Sequence, residues 1–192
     1  MRFFYVLPLS ERRALVEYTL FSAARPRGDE CTLALKTYLE TAWGIRQYRV
    51  LSQEGGVIPI TDQPAPRRAG RRIMTIGVKG GRLKPTTGFA FQRIQQDSAA
   101  IVRSLLQTGQ PFHVPADSPR YRLYDALMLE VMSRHGDEIK SIFTTLFKRN
   151  PIERVLRFLD EAGSPWEDLR LIATLPPRLF LQPLFRRMAR AV

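Results

Sequence analysis

"GGRLKPTTGFAFQRIQ", Gly80 to Gln95, decides how this chain is read. Two glycines, a Lys-Pro, two threonines and a third glycine stand directly before an amphipathic pattern. A short apolar stretch, "IMTIG" (Ile73–Gly77), comes just ahead of it. Strand, glycine-rich loop and helix in that order are the layout of an anion site. Glycine lets backbone approach a ligand closely. The unpaired N–H groups of a helix's first turn, with its dipole, favour a phosphate or an anionic ring edge. Thr86 and Thr87 add hydroxyl donors or an N-cap. An ordinary glycine-rich turn capped by threonine uses the same residues, and local chemistry leaves both readings open. The helix is expected from about Gly88 to Gln107, with Phe91, Ile94, Ile101, Val102, Leu105 and Leu106 on its apolar face.

Working outward, "FFYVLPL" (Phe3–Leu9) is apolar on both faces and predicts a strand buried on both sides. "SERR" turns the chain, and "ALVEYTLFS" (Ala14–Ser22) predicts the returning strand of a hairpin. Glu17 shares its face of that strand with Leu15, Thr19 and Phe21. A carboxylate facing a core is costly unless paired or protonated. Burial of a carboxyl group raises its pKa and makes a general acid usable near neutral pH, so Glu17 is the candidate proton donor. Solvent on that face, or an arginine partner, is the plainer alternative. "ECTLALKTYLETAW" (Glu30–Trp43) has helical spacing closed by Gly44. "YRVLSQEGGVIPIT" predicts two short strands around Glu54-Gly55-Gly56, and a Pro- and Arg-rich loop follows.

From Arg120 onward only helices are expected. "YRLYDALMLEVMSRH" is one, and "DEIKSIFTTLFKRN", starting at Asp137, is another. Asn150 is the expected cap of "PIERVLRFLDEAG", with Pro151 first and Gly163 at its end. "SPWEDLRLIATL" again opens on Ser-Pro. The tail sets Leu179, Phe180, Leu181, Leu184 and Phe185 beside Arg178, Arg186, Arg187 and Arg190. That mixture predicts an interfacial anchor on anionic lipid, interrupted as a helix by Pro176, Pro177 and Pro183. Packing against another part of the protein is the alternative.

The 192 residues, 44% hydrophobic and 25% charged, describe a globular chain with a real core. Cys31 alone allows no internal disulfide, and with only His113 and His135 no zinc or histidine-rich metal site is expected. A net charge of +12, with clusters at Arg67-Arg68, Arg71-Arg72 and Arg186-Arg187, calls for an anionic partner or surface. No recognised nucleic-acid motif is present and the aromatics read as core, which sets nucleic acid aside. No apolar run approaches the ~20 residues of a spanning helix, and "MRFFYVLPLSERR" makes a poor signal peptide, its apolar run short and no small-residue cleavage site following. Neither G-x-G-x-x-G nor G-x-x-x-x-G-K-[ST] occurs.

Three linked stretches resemble the second half of the lycopene cyclase family, in its order and spacing. They are "RFFYVLPLSERRALVEYTLFS", "YLETAWGI" with "YRVLSQEGGVIPIT", and "IGVKGGRLKPTTGFAFQRIQ". The likeness spans most of residues 2–107 and continues more loosely through "LYDALMLEVMSR". It implies an α+β flavoprotein portion of the aromatic-ring-hydroxylase type. A hairpin substrate region would occupy residues 1–72, a flavin-contacting strand, loop and helix 73–110, and a helical region 111–192. The N-terminal Rossmann half is not in this sequence, so the resemblance reads the chain as a C-terminal portion or a split subunit. It puts the family's essential acid on Glu17. It puts the second flavin-contacting segment on Gly77, Gly80, Gly81, Lys84, Pro85, Thr86, Thr87 and Gly88. Lys84 stands where many members carry histidine, and Phe89 where tyrosine is common. The implied reaction is cyclisation of lycopene end groups to β-rings without net redox change. The implied cofactors are reduced FAD and NADPH as reductant, and the implied setting is a cytoplasmic, peripheral membrane protein. A polyprenyl reductase or FAD monooxygenase of the same fold, or an inactive fragment, are the competing readings.

Overall fold

A computed structural model describes residues 1–190 and shows an α+β chain in two compact units, Met1–Pro59 and the residues from Ile60 onward. In the first unit, β1 (Arg2–Ser10) and β2 (Arg13–Leu20) form an antiparallel hairpin joined at Glu11 and Arg12. Their aromatic and β-branched residues favour the pleated conformation. The register sets Phe4 opposite Tyr18 and Val6 opposite Val16 on one face. Helix α1 (Glu30–Trp43) packs along β2 and lays the Tyr38 ring on Phe4 at 4.0 Å, the planes nearly parallel. Gly44 ends α1 in the left-handed conformation, φ 66°, and the Ile45 N–H after it donates to Leu39 O at 3.0 Å, the glycine cap that the sequence predicts.

Two expectations for this unit change. Neither face of the hairpin is fully buried; Phe4, Val6, Val16 and Tyr18, on the face that α1 covers, are half-buried, because α1 is the only helix of the unit among the described residues. The strands expected around Glu54-Gly55-Gly56 do not form among the described residues. That stretch joins no sheet and leaves Tyr48, Val50, Leu51, Val57 and Ile58 exposed.

The second unit opens with a small hairpin, β3 (Arg68–Gly70) and β4 (Ile73–Met74), and a 3-10 turn over Gly77–Gly80. Six helices follow: α2 (Phe91–Thr108), α3 (Pro119–Arg134), α4 (Ile139–Arg149), α5 (Ile152–Leu159), α6 (Pro165–Ile172) and α7 (Pro177–Arg190). Leu146 of α4, Val155 of α5 and Leu171 of α6 meet in a core lined by Phe143, Phe158, Leu159, Ile172 and Leu175. Each such aliphatic side chain contributes about 1.5–3 kcal/mol on burial. Ser164 and Glu167 close a reciprocal capping box at the start of α6, on the expected Ser-Pro.

Asn150 does not cap α5. Its Nδ2 donates to Leu146 O at 3.1 Å and to Thr174 Oγ1 at 2.9 Å, tying the end of α4 to the residues after α6. Gly163 does not end α5 either; a β-carbon there would run into the Asp168 carboxylate. Helix α2 buries Asp97, Ala100 and Ser104, while Phe91, Val102, Leu105 and Leu106 of the expected apolar face are exposed. Polar attachments choose that face. Asp97 is drawn in by Arg67, and Ser104 is held between Gln110 O and the His113 N–H.

The tail also differs from its expected form. Helix α7 runs continuously through Pro183, with Leu179 and Pro183 buried and the helix packed on α3. Arg186 pairs with Glu130 at 3.0 Å, Arg178 with Glu138 at 2.9 Å, and Arg187 with Asp62. Leu181, Phe185 and Met188 face solvent instead. The Arg190 side chain and residues 191–192, part of the expected anchor, lie outside the described residues. Among the described residues, no helix is long and apolar enough to cross a membrane.

Candidate functional site

The loop from Gly77 to Phe89 is shaped first by its own backbone. Gly80 is packed so closely that an added β-carbon would lie 2.6 Å from Thr75 O. Gly88 sits at φ 74°, where side chains are disfavoured. Its N–H donates to Lys84 O at 2.8 Å, and the Lys84 N–H donates to Phe89 O at 2.7 Å. These bonds close Pro85-Thr86-Thr87 into a tight loop. Its glycines therefore have a conformational reason to be there. Neither threonine caps α2, whose first turn carries no side-chain cap. Thr86 Oγ1 donates inward to Asp125, and Thr87 Oγ1 accepts the Phe89 N–H at 3.3 Å.

Four cations fasten this loop to α2, α3 and the segments that flank α3 and α5. Arg67 grips Asp97 at 2.6 and 2.8 Å and donates to Gly80 O at 3.1 Å. Arg82 makes a two-pronged pair with Asp117, 2.8 Å on each prong, and donates to the same carbonyl at 3.2 Å. Lys84 Nζ reaches Asp125 at 3.0 Å and Glu161 at 3.1 Å. Arg93 contacts Glu161 at 2.9 Å and donates to Leu83 O at 2.8 Å. Burial works to raise the pKa of Asp117, but the Arg82 fork, with Arg93 and Arg122 near, holds its carboxyl below the usual carboxylate range. The ammonium of Lys84, expected among cofactor contacts, is thus turned inward onto carboxylates.

What is exposed on the loop's outer rim is Val78, Lys79 and Phe89, with Ile76 just ahead of them. The cavity beside it, bounded by Lys84, Thr87, Phe89, Gln92, Arg93, Leu159 and Asp160, holds only about 50 Å³. That is far below the ~300 Å³ at which small-molecule pockets begin, so the cavity has no room for a planar ring system. A larger depression of about 510 Å³, lined by Trp166, Leu169 and Arg170 of α6 and by Ala173 just after it, shares no residue with the loop. Below the loop, Asp168 is 1% exposed, and burial pushes its carboxyl pKa up against the hydrogen bond from Tyr121 and the charge of Arg120.

Glu17 belongs to the other unit. It stands opposite Tyr5 in the hairpin, and Thr19 Oγ1 donates to its Oε1 at 2.6 Å. Its face carries Phe3, Tyr5, Leu7 and Leu9 from β1 and Leu15 and Thr19 from β2. This is the face that α1 leaves uncovered, with Leu7 53% and Leu15 43% exposed. Glu17 is exposed too, and no cation pairs with it among the described residues. The unit supplies the apolar surround expected for a buried acid, but not the desolvation.

The residues that sequence reasoning missed are the anchors: Arg67, Arg82, Asp97, Asp117, Asp125 and Glu161. Arg82 lies in the loop itself and Asp97 acts through Arg67, while Arg67, Asp117, Asp125 and Glu161 lie 13 to 77 positions from the loop residues they hold, and no local pattern marks them. The family model described as lycopene cyclase protein matches residues 1–185. No curated protein and no solved structure matches the chain.

Proposed function

The chain belongs to the lycopene cyclase protein family, and from that premise we propose that it supplies the acid of a carotenoid-cyclising enzyme. Glu17 is the proton donor, and the substrate is a linear carotenoid such as lycopene. The observation that carries the reading is the hairpin face itself, one carboxyl group centred among Tyr5, Leu7 and Leu15 on an apolar sheet surface. A second protein surface closing over that face would exclude water and leave the acid in a hydrocarbon-like chamber. That cover is the flavin-carrying half or a partner chain.

In the closed chamber, Glu17 gives its proton to a terminal double bond, forming a tertiary carbocation. A neighbouring double bond attacks that carbon and closes the ring. The Glu17 carboxylate takes up a proton lost from the ring, which restores neutrality and the acid, so atoms balance without net oxidation or reduction. Thr19, bonded to Glu17 Oε1, orients the carboxyl group. The rim of the glycine–threonine loop, at Gly77, Gly81, Thr87, Gly88 and Phe89, would hold the cofactor. When bound in its reduced form, kept so by NADPH, FAD supplies negative charge that favours the substrate cation. Lys84 and Thr86 do not fit as ligands in this scheme, because Asp125 and Glu161 already engage them. Helix α7 offers Leu181, Phe185 and Met188 to a bilayer in which the hydrocarbon substrate dissolves.

The test is pigment analysis in a lycopene-accumulating host that expresses the chain together with the flavin-binding half of a family member. Cyclic carotenoids are expected with Glu17 present and none with Glu17→Gln. Ring formation persisting in Glu17→Gln would remove this residue from the chemistry.

A further inference from the structure

Helix α5 ends in a conformation that its sequence does not favour. The Ala162 N–H donates to Arg157 O at 2.8 Å and the Glu161 N–H to Phe158 O at 3.2 Å, the paired bonds of a Schellman cap. The left-handed residue of that cap is usually glycine, since a β-carbon there crowds the following carbonyl. Here it is Glu161, at φ 61° the only non-glycine residue with positive φ among the described residues. A glycine stands two positions later, at Gly163, where the Asp168 carboxylate needs the room.

The side chain explains why glutamate is tolerated at such a place. Its Oε1 lies 3.1 Å from Lys84 Nζ and 2.9 Å from Arg93 Nη2. Lys84 belongs to the glycine–threonine loop. Arg93 holds the carbonyl just before Lys84, Leu83 O, at 2.8 Å. One carboxylate therefore ties both cations, and backbone strain sits at the residue that carries it. Local preference and tertiary need conflict at this position, which is where functional constraint is expected.

We propose that Glu161 is a positioning residue of the loop: the left-handed cap of α5 aims its carboxylate at Lys84 and Arg93 and so sets the rim that faces the cofactor. The coupling rests on this geometry; what the rim contacts rests on the flavin reading above. Glu161→Gly removes the strain together with the carboxylate. Glu161→Gln keeps the side chain and the strain but drops the charge, and serves where the glycine variant unfolds.

Hydrogen exchange on the full chain reads the coupling through the amides of Lys84, Thr87 and Gly88. Both variants should exchange roughly tenfold faster there, with the β1–β2 amides unchanged. Titration with FAD of the chain combined with the flavin-binding half of a family member, followed by the flavin absorption spectrum and compared with that half alone, reads the rim. The parent chain should tighten FAD binding over the half alone, and both variants should bind about tenfold more weakly than the parent with a shifted spectrum. Unchanged loop exchange in both variants overturns the proposal. Faster exchange with FAD binding no tighter for any form than for the half alone upholds the coupling and sinks the flavin reading. Faster exchange with equal FAD binding overturns the rim's role.

Discussion

The Lys84 ammonium lies 3.0 Å from Oδ1 and 3.2 Å from Oδ2 of Asp125, 41 positions further along the chain. Both side chains are almost fully withdrawn from water, 7% and 5% exposed. Asp125 also accepts from Thr86, so one carboxylate of α3 holds two residues of the loop. Glu161 offers the same ammonium a second carboxylate.

Breaking this pair from one side should be costly. Lys84→Met leaves Asp125 buried without its cation, and losses of about 3–5 kcal/mol are usual for such a change. The double variant Lys84→Met, Asp125→Leu removes both charges and should recover much of the loss. Urea midpoints of the parent, single and double variants check this. A double variant no more stable than Lys84→Met would mean that the pair is not the source of the cost.

The acid limb of stability carries opposed contributions from two aspartates. Asp117 has its folded pKa lowered from 3.8, so its contribution is present above that value and is lost as pH falls through the folded pKa. Asp168 has its folded pKa raised from 3.8, so its contribution is largest below that value and is lost as pH rises through the folded pKa. Asp117→Asn should flatten the acid-side fall of the urea midpoint, and Asp168→Asn should steepen it. Midpoints measured from neutral pH down to about pH 2.5 give both slopes. An identical slope in Asp117→Asn would remove the Arg82 pair from the acid response.

What the sequence revealed is what neighbouring residues decide. Helix α1 with its Gly44 cap and α6 with its Ser164–Glu167 box follow from spacing and capping chemistry within a few positions. The turn to Arg13 and the β2 pattern likewise made the hairpin legible. What it hid is what distant partners decide. Helix α2 turned the face with Asp97 inward because Arg67, 30 residues earlier, held it there. Its Phe91 and Leu106 stripe, apolar in composition, stayed outside. Glu17 showed the same limit. Alternation placed it among Leu15 and Tyr5, but no periodicity within a strand tells whether a second layer covers that face. Around the loop, the glycines were visible and the reasons for them were not. Thr75 O crowding Gly80 and the anchors on Asp125 and Glu161 arise from contacts across the fold.

The α7 surface yields the remaining prediction. Leu181, Phe185 and Met188 recur on one side of the helix, 46%, 64% and 59% exposed, while Leu179 and Pro183 face inward. Arg186 and Arg187 are engaged by Glu130 and Asp62, which leaves the apolar stripe as this helix's main offer to a bilayer. Electrostatic attraction must then come from the chain's +12 charge as a whole. Co-sedimentation with vesicles of mixed neutral and anionic lipid should be strong at low salt and reduced, but not abolished, at high salt. Partial burial of three such side chains is worth several kcal/mol in all, so Leu181→Ser, Phe185→Ser, Met188→Ser should weaken binding by at least about tenfold. Binding by the triple variant equal to the parent at every salt concentration would show that lipid engages some other face.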